Sequence, residues 1–194
     1  MATIKRIGYG QVEPNHLSGI VTGQIYAQLP AKGNTAASGQ ASNAITQLEQ
    51  GQFAKYDYAT GEVNFTGAGE FMLVYNEEKL YDERKQGHKD FVYKVGDFTD
   101  GKIYPRLIKT NVGDIFTTNT FEANTSDTAE TPGVTISEGN FLTPTSENTG
   151  FLEIIKTNNV PVTSLNGVTG MAWRVVKIYT MPDGQQGVKI QRVQ

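Results

Sequence analysis

Residues 173–181 read WRVVKIYTM, residues 182–184 PDG and residues 187–193 GVKIQRV, and this stretch decides the fold. Two runs rich in β-branched and aromatic residues flank a turn whose chemistry is specified. Pro182 presets φ, and Gly184 supplies a positive φ with no Cβ to clash. The reading is a β-hairpin, and working outward from it the same signals recur. FAKYDYA (53–59) and EVNFT (62–66) meet at Thr60-Gly61, with Val63 and Phe65 alternating against polar neighbours at period two. FMLVY (71–75) is apolar on both faces, as in a central strand. FVYKV (91–95) and KIYPRLI (102–108) flank a turn ending at Asp100-Gly101, and Pro105, lacking an N–H, predicts a sheet edge for the second of them. DIFTTNTF (114–121), VTIS (134–137) and FLEIIK (151–156) complete the strands.

Helix signals are weak. Asn43 to Gln50 predicts two turns stopped by Gly51, and residues 76–90 hold at most one short helix before Gly87. The expectation is an all-β chain, an antiparallel barrel or sandwich with an extended N-terminal arm and few short helices. Residues 1–29 form the arm, which has too few apolar residues, too often interrupted by Gly and Pro, to make a core alone. It must lie on something, either its own domain or a neighbouring chain. Residues 30–46 (PAKGNTAASGQASNAIT) have the composition of a linker or loop, and residues 47–194 form the β-rich domain.

Composition narrows the function classes. The 194 residues carry 17 Lys+Arg against 20 Asp+Glu, a net charge of −3, which argues against unselective nucleic-acid binding. There is no cysteine, hence no disulfide, thiolate metal site or cysteine nucleophile. The longest purely apolar run, Phe71 to Tyr75, falls far short of the ~20 residues a spanning helix needs, so no membrane partner is expected. The residues after Lys5 and Arg6 are Gly- and Gln-rich, unlike the apolar part of a signal peptide. Gly numbers 21 and Thr 22, with nine Tyr and nine Phe, a profile of strands and turns. Charge is uneven. Residues 111–150 hold six acids (Asp114, Glu122, Asp127, Glu130, Glu138, Glu147) and no base, whereas residues 151–194 hold five bases and two acids. Ordinary solvated faces account for such a swing, and it also suits the seating of an acidic lobe of one copy on a basic strand of another.

No motif carries catalysis. His16 and His88 are the two histidines, and neither has a spaced partner for zinc. Gly67-Ala68-Gly69 lacks the third glycine and the helix of a dinucleotide site, and no Gly-Lys-Ser/Thr follows a glycine loop. Asp97-x-x-Asp100-Gly101 lacks the closing Glu of a calcium loop. Tyr56, Tyr58, Phe65, Phe71 and Tyr75 offer a stacking platform for sugar or base, but at strand spacing such residues are more often core and cross-strand pairs. No catalytic residue, cofactor or metal is expected.

Two stretches have a shared wording. Ile4-Lys5-Arg6-Ile7-Gly8-Tyr9-Gly10, Pro14-Asn15-His16-Leu17 and Thr22 to Pro30 form the first. Leu48-Glu49-Gln50-Gly51-Gln52-Phe53, Tyr56-Asp57-Tyr58-Ala59 and Gly61-Glu62-Val63, running on to Phe71–Glu77, form the second. Over residues 1–122 the chain resembles the auxiliary or decoration proteins on the capsids of tailed bacteriophages. The resemblance implies a non-enzymatic virion structural protein on the capsid surface, assembled in the host cytoplasm, whose partners are the major capsid protein and other copies of itself. Tyr9, Pro14, His16, Leu17 and Tyr26 in the arm are then the expected partner contacts. The alternatives are a tail-tube or neck component and a carbohydrate-binding β module.

Overall fold

The computed structural model describes residues 9–19, 23–33, 44–75, 92–95, 102–121, 136–145, 149–158, 160–181, 184 and 186–194, with the Gln186 side chain outside the description. The described residues are all-β, built into antiparallel sheets, with almost no helix and no closed barrel among them. One main sheet has six strands: β1 (Val12–His16), β9 (Ile115–Thr118), β15 (Gln186–Arg192), β14 (Trp173–Thr180), β10 (Phe141–Pro144) and β11 (Leu152–Ile154), in that spatial order. The other has five: β2 (Ile25–Tyr26), β8 (Leu107–Ile108), β6 (Phe71–Val74), β4 (Phe53–Asp57) and β5 (Glu62–Asn64). Two ribbons complete the described strands, β3 (Gln47–Glu49) with β7 (Val92–Lys94), and β12 (Lys156–Thr157) with β13 (Val160–Pro161).

The packing explains why β6 is apolar on both faces. Side chains alternate along a strand, so β4 and β6 send Phe53 and Leu73 one way and Ala54, Tyr56, Met72 and Val74 the other. The first set meets Phe116, Leu142, Trp173, Val188 and Ile190 of the six-stranded sheet. Phe53, Phe116 and Trp173 form its centre, with ring centroids 5.0–6.3 Å apart and tilted or edge-on, the arrangement favoured by aromatic quadrupoles. The second set is covered by Ala31, Ile45, Leu48, Ile103, Tyr93 and Val95. The five-stranded sheet is therefore a middle layer with a core on each side.

The hairpin of β14 and β15 forms as read, from Trp173 opposite Arg192 to Thr180 opposite Gln186. Gly184, at φ 85°, donates its N–H to the Met181 carbonyl at 2.9 Å. The β4–β5 hairpin also forms, closed by Gly61 N–H on the Asp57 carbonyl at 2.9 Å. β6 lies in the sheet interior between β4 and β8.

Three local expectations are corrected. The two helical turns over 43–50 give way to β3, because Leu48 is fully buried in the second core and β7 supplies a ladder partner. FVYKV and KIYPRLI do not form a hairpin: β7 pairs with β3, while β8 pairs with β2 and β6. Pro105 does not mark an edge. It is buried just before β8, so the interior ladder loses no donor. Of VTIS, Ile136 is buried in the first core outside any strand, and Val134 and Thr135 lie outside the described residues. The weak helix over 76–90, His88, Asp97 and Asp100 also lie outside them.

The described part of the segment read as an arm lies on its own chain, with β1 in one main sheet and β2 in the other. The ends of the 30–46 stretch are pinned together. Ala31 N–H donates to the Ile103 carbonyl at 2.7 Å, Lys32 N–H to the Val63 carbonyl at 2.7 Å, and Ile45 N–H to the Lys32 carbonyl at 2.9 Å.

Candidate functional site

The five arm residues occupy four separate places. Pro14 and His16 are exposed on β1, the edge strand, where they stand opposite Phe116 and Ile115 of β9 and the register shifts between them. A proline and a bulge blunt an edge against strand addition, so what this rim presents is side chains. Leu17, next in sequence, is 5% exposed and belongs to the first core, which removes it from the surface a partner could touch. Tyr9 is half-buried, its hydroxyl accepting from Lys94 Nζ at 2.7 Å while the ammonium lies 5.0 Å from the ring centroid. Tyr26 is on the far side of the middle sheet, 5.2 Å from the Tyr56 ring.

Tyr26, Tyr56 and Tyr58 form a continuous aromatic row, the second step being an edge contact at 5.1 Å. Tyr56 is buried, with its hydroxyl accepting the Gln28 N–H at 3.2 Å, whereas Tyr58 is 72% exposed. Phe65 is buried in the second core, and Phe71 and Tyr75 pack on the first, so of the suggested platform the Tyr58 end is the open one. In the turn beside it Asp57 Oδ1 accepts the Ala59 N–H at 2.9 Å, and that bond above all holds the Asp57 carboxyl below the ordinary carboxylate range against the opposing effect of burial.

Sequence reasoning missed the buried polar seam where the arm enters the fold. Gly10 N–H donates to Glu49 Oε2 at 2.8 Å, and Gln47 Nε2 donates to Glu49 Oε1 at 2.9 Å. Gln11 N–H donates to Asn119 Oδ1 at 2.7 Å, and Asn119 Nδ2 returns a bond to the Tyr9 carbonyl at 2.9 Å. Thr118 Oγ1 donates to the Gln11 carbonyl at 2.6 Å and Thr120 Oγ1 to the Gln50 carbonyl at 2.9 Å. Gln52 adds Nε2 to the Thr149 carbonyl at 2.6 Å and accepts the Glu49 N–H. Buried backbone groups outside a ladder must find partners, and here side chains 39 to 110 residues away supply them. Gly10 is required by proximity, since a Cβ there would stand 1.9 Å from the Gln50 carbonyl oxygen. A second clasp holds the other end of β1, where Asp114 Oδ1 accepts both the N–H and the hydroxyl of Ser18, at 3.0 and 2.7 Å. No local pattern announces these contacts; the run of polar residues Thr117 to Thr120, too long for a solvated strand end, is the one signal that was available.

The described residues contain no group of three or more His, Asp or Glu side chains placed to hold a metal ion. Nor does any described helix have the length and apolarity to cross a membrane. No family model matches the chain, and no curated protein or solved structure matches it.

Proposed function

We propose that the chain is a non-enzymatic virion structural protein that binds the assembled capsid of a tailed bacteriophage and reinforces or decorates it. The observation that carries this reading is the meeting of the two stretches whose wording resembles the capsid decoration proteins. Tyr9-Gly10 of the first and Leu48–Phe53 of the second interlock in the polar seam, Gly10 N–H on Glu49 Oε2. Described parts of the two stretches thus touch at Gly10 and Glu49, which supports a common architecture over a chance likeness of short strings. The major capsid protein is the proposed partner, and the exposed Pro14–His16 rim, projecting from a β1 that the seam and the Asp114 clasp hold at both ends, is the proposed contact.

Copy number tests the reading. In gradient-purified virions the chain should stand in a simple ratio to the major capsid protein and be missing from separated tails. A low number that follows the tails would move the assignment to a tube or neck component, and absence from the particle would overturn it. Removing residues 1–29 is a poor probe of the contact, because it deletes β1, β2 and the buried Leu17 together. Pro14→Asp with His16→Asp is the cleaner one: particle binding should fall while the melting temperature holds. The exposed Tyr58 at the end of the aromatic row favours a second reading, a carbohydrate-binding module. Glycan binding lost in a folded Tyr58→Ala variant would support it.

A further inference from the structure

Thirteen asparagines occur in the chain, and Asn166 alone is followed by glycine. Asn166 and Gly167 are the central pair of a turn that the Val168 N–H closes on the Leu165 carbonyl at 3.0 Å. Gly167 has φ 80°, the left-handed value that the third residue of a type II turn requires and glycine supplies. Both residues are exposed, and a Cβ built at Gly167 would have no atom within 4 Å. Among the described residues, neither the Asn166 side-chain amide nor the Gly167 N–H has a hydrogen-bond partner. Other asparagines are held. Asn119, fully buried, uses both ends of its amide, on the Gln11 N–H and the Tyr9 carbonyl. Asn64 Oδ1 accepts the Gly67 N–H, Asn140 Oδ1 the Ser137 N–H and Asn15 Oδ1 the Thr117 hydroxyl, while Asn111 Nδ2 donates to Gln24 Oε1. Asn158 is exposed too, but the residue after it carries a side chain.

A free carboxamide beside an unhindered backbone nitrogen is a reacting pair, made effectively unimolecular by the chain itself. Gly167 N, losing its proton to water or hydroxide, attacks Asn166 Cγ. The new C–N bond closes a five-membered imide, and the Cγ–Nδ2 bond breaks to release ammonia. Water then opens the ring. Cleavage of the new bond leaves an ordinary aspartyl linkage, and cleavage of the original peptide bond leaves an isoaspartyl linkage that adds one methylene to the main chain. We infer that Asn166-Gly167 is a site of spontaneous intramolecular deamidation in the folded protein, which turns a neutral turn into an anionic one. The fold survives the change, because no described residue from 156 to 170 is buried and the reaction falls outside both cores. It adds one negative charge to a chain whose net charge is −3. The isoaspartyl form also loosens the Leu165–Val168 turn, and with it the Val168 carbonyl that accepts Gln194 Nε2 at 3.1 Å. The inference does not depend on the capsid reading.

Peptide mapping by mass spectrometry tests it, on the purified full chain kept for weeks at neutral and at mildly alkaline pH. The segment holding Asn166 should gain the mass of an amide exchanged for an acid. It should do so faster at the higher pH, because the attacking nitrogen must lose its proton. The product should split into aspartyl and isoaspartyl forms, which chromatography separates and an isoaspartyl methyltransferase labels. Conversion in the folded chain should run within about tenfold of that in urea, since the fold holds neither reacting group. Asn166→Gln, whose ring would have six members, and Gly167→Ala, whose Cβ hinders the attack, should each slow conversion by about tenfold or more. The melting temperature should hold as wild-type conversion proceeds. An Asn166 that stays intact in the folded chain while converting in urea overturns the inference, because the fold then protects the turn. Conversion at another asparagine ahead of Asn166 overturns it too, as does a Gly167→Ala variant that converts at the wild-type rate.

Discussion

The aromatic centre and the polar seam hold together neighbouring parts of the same interior by different means. Phe53, Phe116 and Trp173 join the two main sheets through apolar contact, which is non-directional and tolerates replacement by shapes of similar volume. The seam at Gly10, Gln11, Glu49, Asn119 and Thr120 joins the N-terminal segment through bonds with defined donors and acceptors. There the cost of a substitution is set by the partner left unsatisfied, whatever the volume removed. One region supplies bulk stability; the other fixes where the segment lies.

Breaking the aromatic centre should have the largest effect. Trp173→Ala should cost about 3–5 kcal/mol in urea unfolding, because a fully buried indole leaves a cavity between two sheets. Trp173→Phe sharpens the comparison. Since Trp173 Nε1 is buried with no hydrogen-bond partner, the substitution gives up volume but no bond and should cost far less than the alanine. In the seam, Gly10→Ala forces a Cβ against the Gln50 carbonyl and should cost about 1–3 kcal/mol or more, an effect out of proportion to one methyl group. Glu49→Ala strands the Gly10 N–H and should cost about 1–3 kcal/mol, whereas Glu49→Gln keeps an acceptor and should cost less. A loss as large for Gln as for Ala would show that charge, not the bond, matters there. Amide exchange at Gly10 and Gln11 should quicken in both seam variants before the aromatic centre opens, and equal exchange throughout would erase the distinction between the two regions.

The smallest effect concerns the Asp57 turn. Its carboxyl is held below the ordinary range chiefly by the Ala59 N–H, so its contribution is complete above the unfolded-state value and is lost as pH falls through the lowered one. Asp57→Asn should therefore lower the neutral urea midpoint slightly and flatten part of the acid-side decline, so that variant and wild type converge as the carboxyl of the wild type is protonated.

Local rules carried the sequence reading where structure is local. The β14–β15 and β4–β5 hairpins were legible because their turns contain Pro182-Asp183-Gly184 and Thr60-Gly61 within a few residues of both strands. FMLV was legible as an interior strand because burial on two faces leaves a run without polar alternation. Placement of β9 between β1 and β15 was not, since strand order over such separations follows from how layers pack. The helix expected at 43–50 failed for the same reason: Leu48 was claimed by a core that no nearby residue announces. At the candidate site, Pro14 and His16 stand exposed on one rim, but alternation and a register shift put Leu17, next in the same short stretch, on the inside. The seam was least legible, because its bonds run between side chains and backbone groups far apart in sequence.

Ile45 N–H donates to the Lys32 carbonyl, so two residues thirteen apart in sequence meet at one backbone bond. Whatever is written between those two anchors has its entry and exit fixed by the same bond and its neighbours on Val63 and Ile103. Doubling the length of such an excursion costs only about 0.6 kcal/mol of closure entropy. A foreign epitope or tag inserted between these anchors should therefore cost the fold little stability per added residue.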